Sequence, residues 1–269
     1  MKKAIIIGMS NGKTIQQQAK IQQVVAQIER LGIFSEVIVD QSVYLDPITN
    51  QTLAAKERAN RLMNYLLDEQ VTAIFDVSGG DMANTILPYL DVTRLATTKA
   101  HFFGYSDLSV LLNVLATHTQ CTVWNFPVMT IIGPHRNQQL ARLKTALTTE
   151  YQGPKILGGN IRCTLKLAGT PYCPDFTNHT LLIEAFNGSY EKVMSMLAHY
   201  ELLGTFEQVN EVLVGCFTEL EKAGQKDLVL AHLQELSEKY KFHLSETNQV
   251  GHITSSIPVL YAHSISRVL

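Results

Sequence analysis

The chain has 269 residues, 46% of them hydrophobic, enough for one large or two modest cores. Its 22 basic and 24 acidic residues give a formal charge of -2 and form no run, so neither a nucleic-acid surface nor an acidic tail is expected. No segment approaches the roughly 18 unbroken apolar residues of a spanning helix, and no membrane partner is expected.

The four cysteines, Cys121, Cys163, Cys173 and Cys216, are scattered without CxxC spacing. A disulfide framework or metal knuckle is therefore not expected, and a reducing cytoplasm is the default location. The apolar stretch at the start ends after Ile7 at Gly8, too short for a signal core, and reads as a first strand.

Along the first half, short β-branched runs alternate with amphipathic stretches, the pattern of a parallel sheet covered by helices. Strands are expected at 4–7, 37–39, 72–77 and 101–105. Helices are expected at 14–31, 53–67, from Ala83 to about Leu87, and 107–118. From about Gly133 the texture changes. A polar helix at 137–147 and Gly153-Pro154 mark a connection, followed by strands at 161–167, 180–184 and 211–217 and helices at 190–202 and 228–240, with a turn at Gly158-Gly159-Asn160. The expected fold is α/β: a Rossmann-like parallel-sheet domain over residues 1–135, a linker region at 136–157, and a smaller, β-rich α/β domain over 158–269. Trp124, the only tryptophan, has apolar neighbours that favour a core role.

Three segments are candidates for chemistry. Gly8-Met9-Ser10-Asn11-Gly12-Lys13-Thr14 resembles a phosphate-cradling loop, but it has three residues between its glycines where the Walker pattern has four. A capped helix start is the simpler reading, and a nucleotide-binding protein is the least favoured function. In Ser78-Gly79-Gly80-Asp81-Met82-Ala83-Asn84, a buried strand breaks at two glycines and restarts as a helix, as a nucleophile elbow does. Backbone amides there, with Gly79, Gly80 and Asn84 as the candidates, would face a developing oxyanion. The third candidate pairs Glu184, a carboxylate after three apolar residues, with His252, in a loop after Gly251.

In this order the pieces resemble the LD-carboxypeptidase family of serine peptidases, which includes muramoyltetrapeptide carboxypeptidases and microcin C self-immunity proteins. The likeness runs through Ala54-Ala55-Lys56-Glu57-Arg58-Ala59, Gly79-Gly80-Asp81-Met82-Ala83-Asn84, Leu87-Pro88-Tyr89-Leu90-Asp91, Gly104-Tyr105-Ser106-Asp107, Gly158-Gly159-Asn160, Gly169-Thr170-Pro171-Tyr172 and Pro174-Asp175-Phe176. Each motif is weak alone; their order carries the resemblance.

The resemblance implies a Ser-Glu-His triad with Glu184 as its acid and His252 as its general base. In this reading the nucleophile position falls at Ala83, either an engineered replacement of serine or a natural loss, and Gly80 and Asn84 are the oxyanion donors. Ser78 stands where many members carry arginine. Neither Ser78 nor Thr85 is well placed to supply the missing hydroxyl, and Ser106 reads as a structural hydrogen-bonder. The implied function is hydrolysis of a short peptide or amide, such as a muropeptide or peptidyl-nucleotide, without metal or cofactor, by a homodimer. The alternative is a catalytically silent homologue that binds a peptide-like ligand.

Overall fold

A computed structural model describes residues 2–149 and 155–261. Gly153-Pro154, read from the sequence as part of the connection, lies outside the described residues.

Among the described residues, ten strands form two sheets. β1 (Lys3–Ile7), β2 (Glu36–Val39), β3 (Val71–Asp76), β4 (His101–Gly104), β5 (Thr122–Asn125) and β10 (Val259–Tyr261) make the larger one, in the order β10-β5-β4-β3-β1-β2. All its pairings are parallel except β10 on β5. β6 (Ile156–Asn160), β7 (Thr180–Ala185), β8 (Glu211–Phe217) and β9 (His243–Glu246) follow one another in a wholly parallel second sheet. The chain leaves β1 to one side for β2 and to the other for β3. This reversal opens a crevice at the carboxyl ends of β1 and β3, the usual place for a ligand in a doubly wound sheet.

One face of the larger sheet carries Ile6, Phe75, Phe103, Trp124 and Phe126 under helices Gln18–Glu29 and Arg136–Thr148. Trp124 is 1% exposed and lies parallel to Phe103, a core position on β5. The other face carries Ile5, Ile7, Ile74 and Phe102 in a core that continues into the second sheet. Helix Ser109–His118 lies between the sheets, with every residue from Ser109 to Ala116 buried. Its apolar sequence has no wet face because both sides are covered.

The sequence misses β5, β9 and β10 and misreads one junction. Gly158-Gly159-Asn160 is not a turn but the end of β6, and 161–167, expected as a strand, makes helical turns. The glycines lie at φ +105° and +109° within the strand. A Cβ on Gly159 would come within 2.4 Å of the Tyr261 hydroxyl and 2.6 Å of Ser109 Oγ. Close approach of helix and strand thus requires glycine, and two glycines in a short run resemble a turn when the packing partner is distant in sequence.

Two segments depart from the expected division of the chain. Helix Arg136–Thr148, placed in the linker region, packs Leu143 and Ala146 into the core of the larger sheet. Residues Val259–Tyr261, assigned to the second domain, extend the larger sheet by pairing with β5. Among the described residues, no helix is long and apolar enough to cross a membrane.

Candidate active site

β4 ends at Gly104, and the chain turns through Tyr105, Ser106 and Asp107 into helix Ser109–His118. Ser106 is held at φ +60°, a left-handed conformation that non-glycine residues adopt at a cost and that recurs at functional turns. A Cβ on Gly104 would stand 2.9 Å from that of Leu108, so glycine lets the turn close tightly. This strand, strained turn and helix raise the Ser106 hydroxyl above the sheet edge.

The second sheet and the loop after β9 supply what faces it. Ser106 Oγ stands 3.0 Å from Nε2 of His252, and Nδ1 of His252 stands 2.8 Å from Oε2 of Glu184. A carboxylate can only accept, so Nδ1 carries the hydrogen, and in the neutral ring Nε2 then presents a lone pair to the serine hydroxyl. Glu184, on β7, is 0% exposed, yet it also accepts from the Tyr105 hydroxyl at 2.8 Å and from Asn160 Nδ2 at 3.1 Å. Three donors compensate its loss of water. The Tyr105 ring meets the imidazole edge-on at 4.7 Å, and the Phe186 ring lies tilted against it at 5.0 Å. Burial, with Glu184 next to it, raises the Tyr105 pKa well above the ordinary tyrosine value, so the hydroxyl remains a donor.

His252 follows Gly251, at φ +155°, where a Cβ would come within 2.4 Å of that of Cys216. The Val250 carbonyl accepts from Cys216 N at 2.8 Å, which ties this loop to the end of β8.

Behind the turn, Asp107 is fully buried and accepts from Ser10 Oγ at 2.6 Å and from Ala83 N at 2.8 Å; Lys166 reaches it at 2.5 Å from beyond β6. The Gly104 to Asp107 turn is therefore clamped by groups from both sheets.

Ala83, expected at the nucleophile position, lies in the core. It is 0% exposed, its methyl belongs to the core and its amide is bonded to Asp107. The strand-to-helix turn that meets His252 is not the one after β3 but the one after β4. The turn after β3 is consumed in holding the loop after β1: Asn11 N donates to Gly79 O, Asp81 N to Asn11 Oδ1, and Met82 N to Ser10 Oγ. Gly80, at φ +127°, lets Asn11 pack where a Cβ would meet its side chain at 2.4 Å. Asn84 is half-buried in the 3-10 turn Ala83–Tyr89 and is not among the residues lining the cleft next to His252. Ser78 Oγ donates to Asp76 and Thr85 Oγ1 to the Met82 carbonyl, so both hydroxyls are engaged elsewhere. Ser106, passed over as a structural hydrogen-bonder, is the residue that meets the histidine. Its signal in the sequence was Gly-Tyr-Ser-Asp between a strand and an apolar helix.

The phosphate-loop reading of Gly8 to Lys13 also fails geometrically. Gly8 N donates to Ser42 Oγ, Met9 N to Asp76, Ser10 N to Ser78 Oγ, Asn11 N to Gly79 O, Gly12 N to Thr52 Oγ1 and Lys13 N to Val43 O. Amides already bonded within the protein cannot form a nest for phosphate.

Ser106 and His252 open onto a cleft of about 280 Å³ that is also lined by Lys13, Asp76, Ser78, Gly79 and the Pro127 to Met129 wall. Burial raises the Asp76 carboxyl from 3.8 to about 6 against the bonds from Ser78 and Met9, which favour its charged form.

Residues 5–125 match the LD-carboxypeptidase N-terminal domain and residues 153–266 the LD-carboxypeptidase C-terminal domain. YocD of Bacillus subtilis is 24% identical over 286 residues, covering 87% of this chain and 83% of that protein. The microcin C7 self-immunity protein MccF of Escherichia coli is 21% identical over 219 residues, covering 64% and 63%. Alignments with the curated relatives span 61% to 83% of those proteins' lengths. The wild-type apo structure of MccF superposes with a TM-score of 0.82 at 17% identity, covering 97% of this chain and 91% of that one; MccF has also been solved in complex with aspartyl sulfamoyl adenosine. A muramoyltetrapeptide carboxypeptidase from Oxalobacter formigenes superposes with a TM-score of 0.79 at 18% identity, covering 96% and 92%. These structural likenesses concern the fold; the two domain matches together span most of the sequence, and the chain belongs to the LD-carboxypeptidase family.

Proposed function

We propose that this protein is a serine hydrolase that cleaves a short peptide or amide next to a free carboxylate, with Ser106 as nucleophile, His252 as general base and Glu184 as the acid that orients it. The observation that carries this reading is the 3.0 Å contact from Ser106 Oγ to His252 Nε2, made from a strained turn and continued at 2.8 Å to Glu184.

The roles follow from the geometry. Ser106 attacks the scissile carbonyl while Nε2 takes its proton; the same nitrogen then gives that proton to the leaving amine, and water repeats the sequence to release the acyl group. Glu184 stabilises the imidazolium, and Tyr105 and Asn160 hold Glu184 in place. The amide of Asp107, which follows the nucleophile, and the turn at Gly79-Gly80, whose Gly79 lines the same cleft, are the proposed oxyanion donors. The substrate class takes support from the family and from the aspartyl sulfamoyl adenosine bound by MccF. The silent-homologue alternative depended on Ala83 as the nucleophile position; with Ser106 on His252, nothing favours it. A cytoplasmic homodimer remains the family-level expectation for its setting.

A fluorophosphonate probe tests the assignment. It should label Ser106, identified by peptide mapping, and label neither Ser106→Ala nor His252→Ala at a comparable rate. Labelling of another serine, or equal labelling of the three proteins, would reject it.

A further inference from the structure

Among the described residues, the lining of the cleft at Ser106 includes one lysine or arginine, Lys13. Its backbone is fixed on both sides: Lys13 N donates to Val43 O at 2.8 Å and Leu45 N donates to Lys13 O at 2.8 Å. The side chain starts from the loop after β1, at the crevice where the strand order reverses, and it is half-buried. Among the described residues it forms no ion pair within 4.0 Å. The nearby carboxylate, Asp76, has its oxygens occupied by Met9 N, Ser78 N and Ser78 Oγ.

A lysine half withdrawn from water without an ion-pair partner is poised to gain from an incoming anion. Burial lowers its pKa from the ordinary lysine value, and the Asp76 charge offsets this only in part. Pro127, Val128 and Met129 give the same cleft a mainly apolar wall. At about 280 Å³ the space lies below the roughly 300–1,000 Å³ typical of sites for drug-sized ligands, so it suits a fragment the size of one amino acid.

We propose that Lys13 is the specificity-determining cation of this cleft: it receives the free terminal carboxylate of the peptide, whose last residue is small and lies against Pro127, Val128 and Met129. This rests on the hydrolase reading, because it places the scissile bond between that last residue and the acyl group taken by Ser106. It also gives a role to a lysine whose loop cannot cradle phosphate.

The experiment measures binding, so that it does not depend on turnover. In the Ser106→Ala background, calorimetric titration compares acetyl-L-lysyl-D-alanine as the free acid with its terminal carboxamide. With Lys13 present the acid should bind more tightly by roughly tenfold to hundredfold. Lys13→Met should bring the two affinities together, and Lys13→Arg should keep much of the difference. Circular dichroism and thermal melting establish that each variant is folded, and Lys13→Gln serves where the methionine variant is not.

Equal binding of acid and amide by the Lys13 protein, or an acid preference that survives in the folded neutral variants, overturns the proposal. An acid preference that depends on Lys13, in a protein whose Ser106 resists the fluorophosphonate, supports the carboxylate site while rejecting the hydrolase reading. The two failures are therefore distinguishable.

Discussion

Ser106 Oγ and His252 Nε2 stand 3.0 Å apart although 146 residues separate them. The serine rises from the larger sheet, while the histidine sits on a loop tied to the second sheet by the hydrogen bond from Cys216 N to Val250 O. The pair therefore depends on how the two sheets are held together, by helix Ser109–His118, by Lys166 on Asp107, and by Gln139 and Arg142, which donate to the carbonyls of residues 254–256 just after His252.

Removing the hydroxyl tests the pair directly. Ser106→Ala should lower kcat on any cleaved substrate by about 10⁵ to 10⁶. Ala83→Ser should raise no rate and should cost roughly 1–3 kcal/mol in a urea titration, since a hydroxyl would enter a fully buried site. A gain of activity in Ala83→Ser would return the nucleophile to that position.

Tyr105→Phe keeps the ring against His252 but deletes the donor to Glu184. The expected result is a fall in kcat of about tenfold with KM changed much less, as for loss of one hydrogen bond that orients the acid. An unchanged kcat would show that Asn160 and His252 hold Glu184 without help.

Asp76 makes stability depend on pH in the direction opposite to a salt-bridged carboxylate. Burial raises its pKa from 3.8 to about 6, so between these values the folded protein keeps a proton that the unfolded chain releases. Its favourable contribution is complete below about pH 4 and is lost as pH rises through about 6, a change of roughly 3 kcal/mol for a two-unit shift. Urea titrations of wild type and Asp76→Asn at pH 4, 5, 6 and 7 should show wild type losing ground to the variant across that window and a flat difference above it. A difference independent of pH would mean that Asp76 titrates normally.

Lys166→Met leaves Asp107 buried without its cationic partner, although Ser10 and Ala83 still donate to it. The expected loss is about 3 kcal/mol, at the lower end of the cost of breaking a buried ion pair. Thermal and urea denaturation measure it; a loss well below 1 kcal/mol would mean that the two hydrogen bonds alone stabilise the carboxylate.

Much of the fold was legible because its signals are local. β8 and helix Tyr190–Leu202 fall where their apolar spacing places them, and β1, β3 and β4 within a residue or so. β9 and β10 were missed: β9 is mostly polar and exposed, and β10 is only three residues long, defined by its pairing with β5. β6 was displaced because its glycines answer a steric demand from Tyr261 and Ser109, distant in sequence.

The proposed nucleophile shows the same division. Two strand-to-helix turns, after β3 and after β4, carry the small residues of an elbow, and in sequence the one with two glycines looks stronger. By itself the sequence determined the parallel α/β architecture, the family resemblance, and Glu184 and His252 as polar residues in unusual settings, because hydrophobic period and residue chemistry are properties of short segments. The tertiary structure alone decided which turn faces the histidine. The turn after β3 bonds back onto the loop after β1, while the turn after β4 presents Ser106 to Nε2, and that choice is made by a distance in space between residues far apart along the chain.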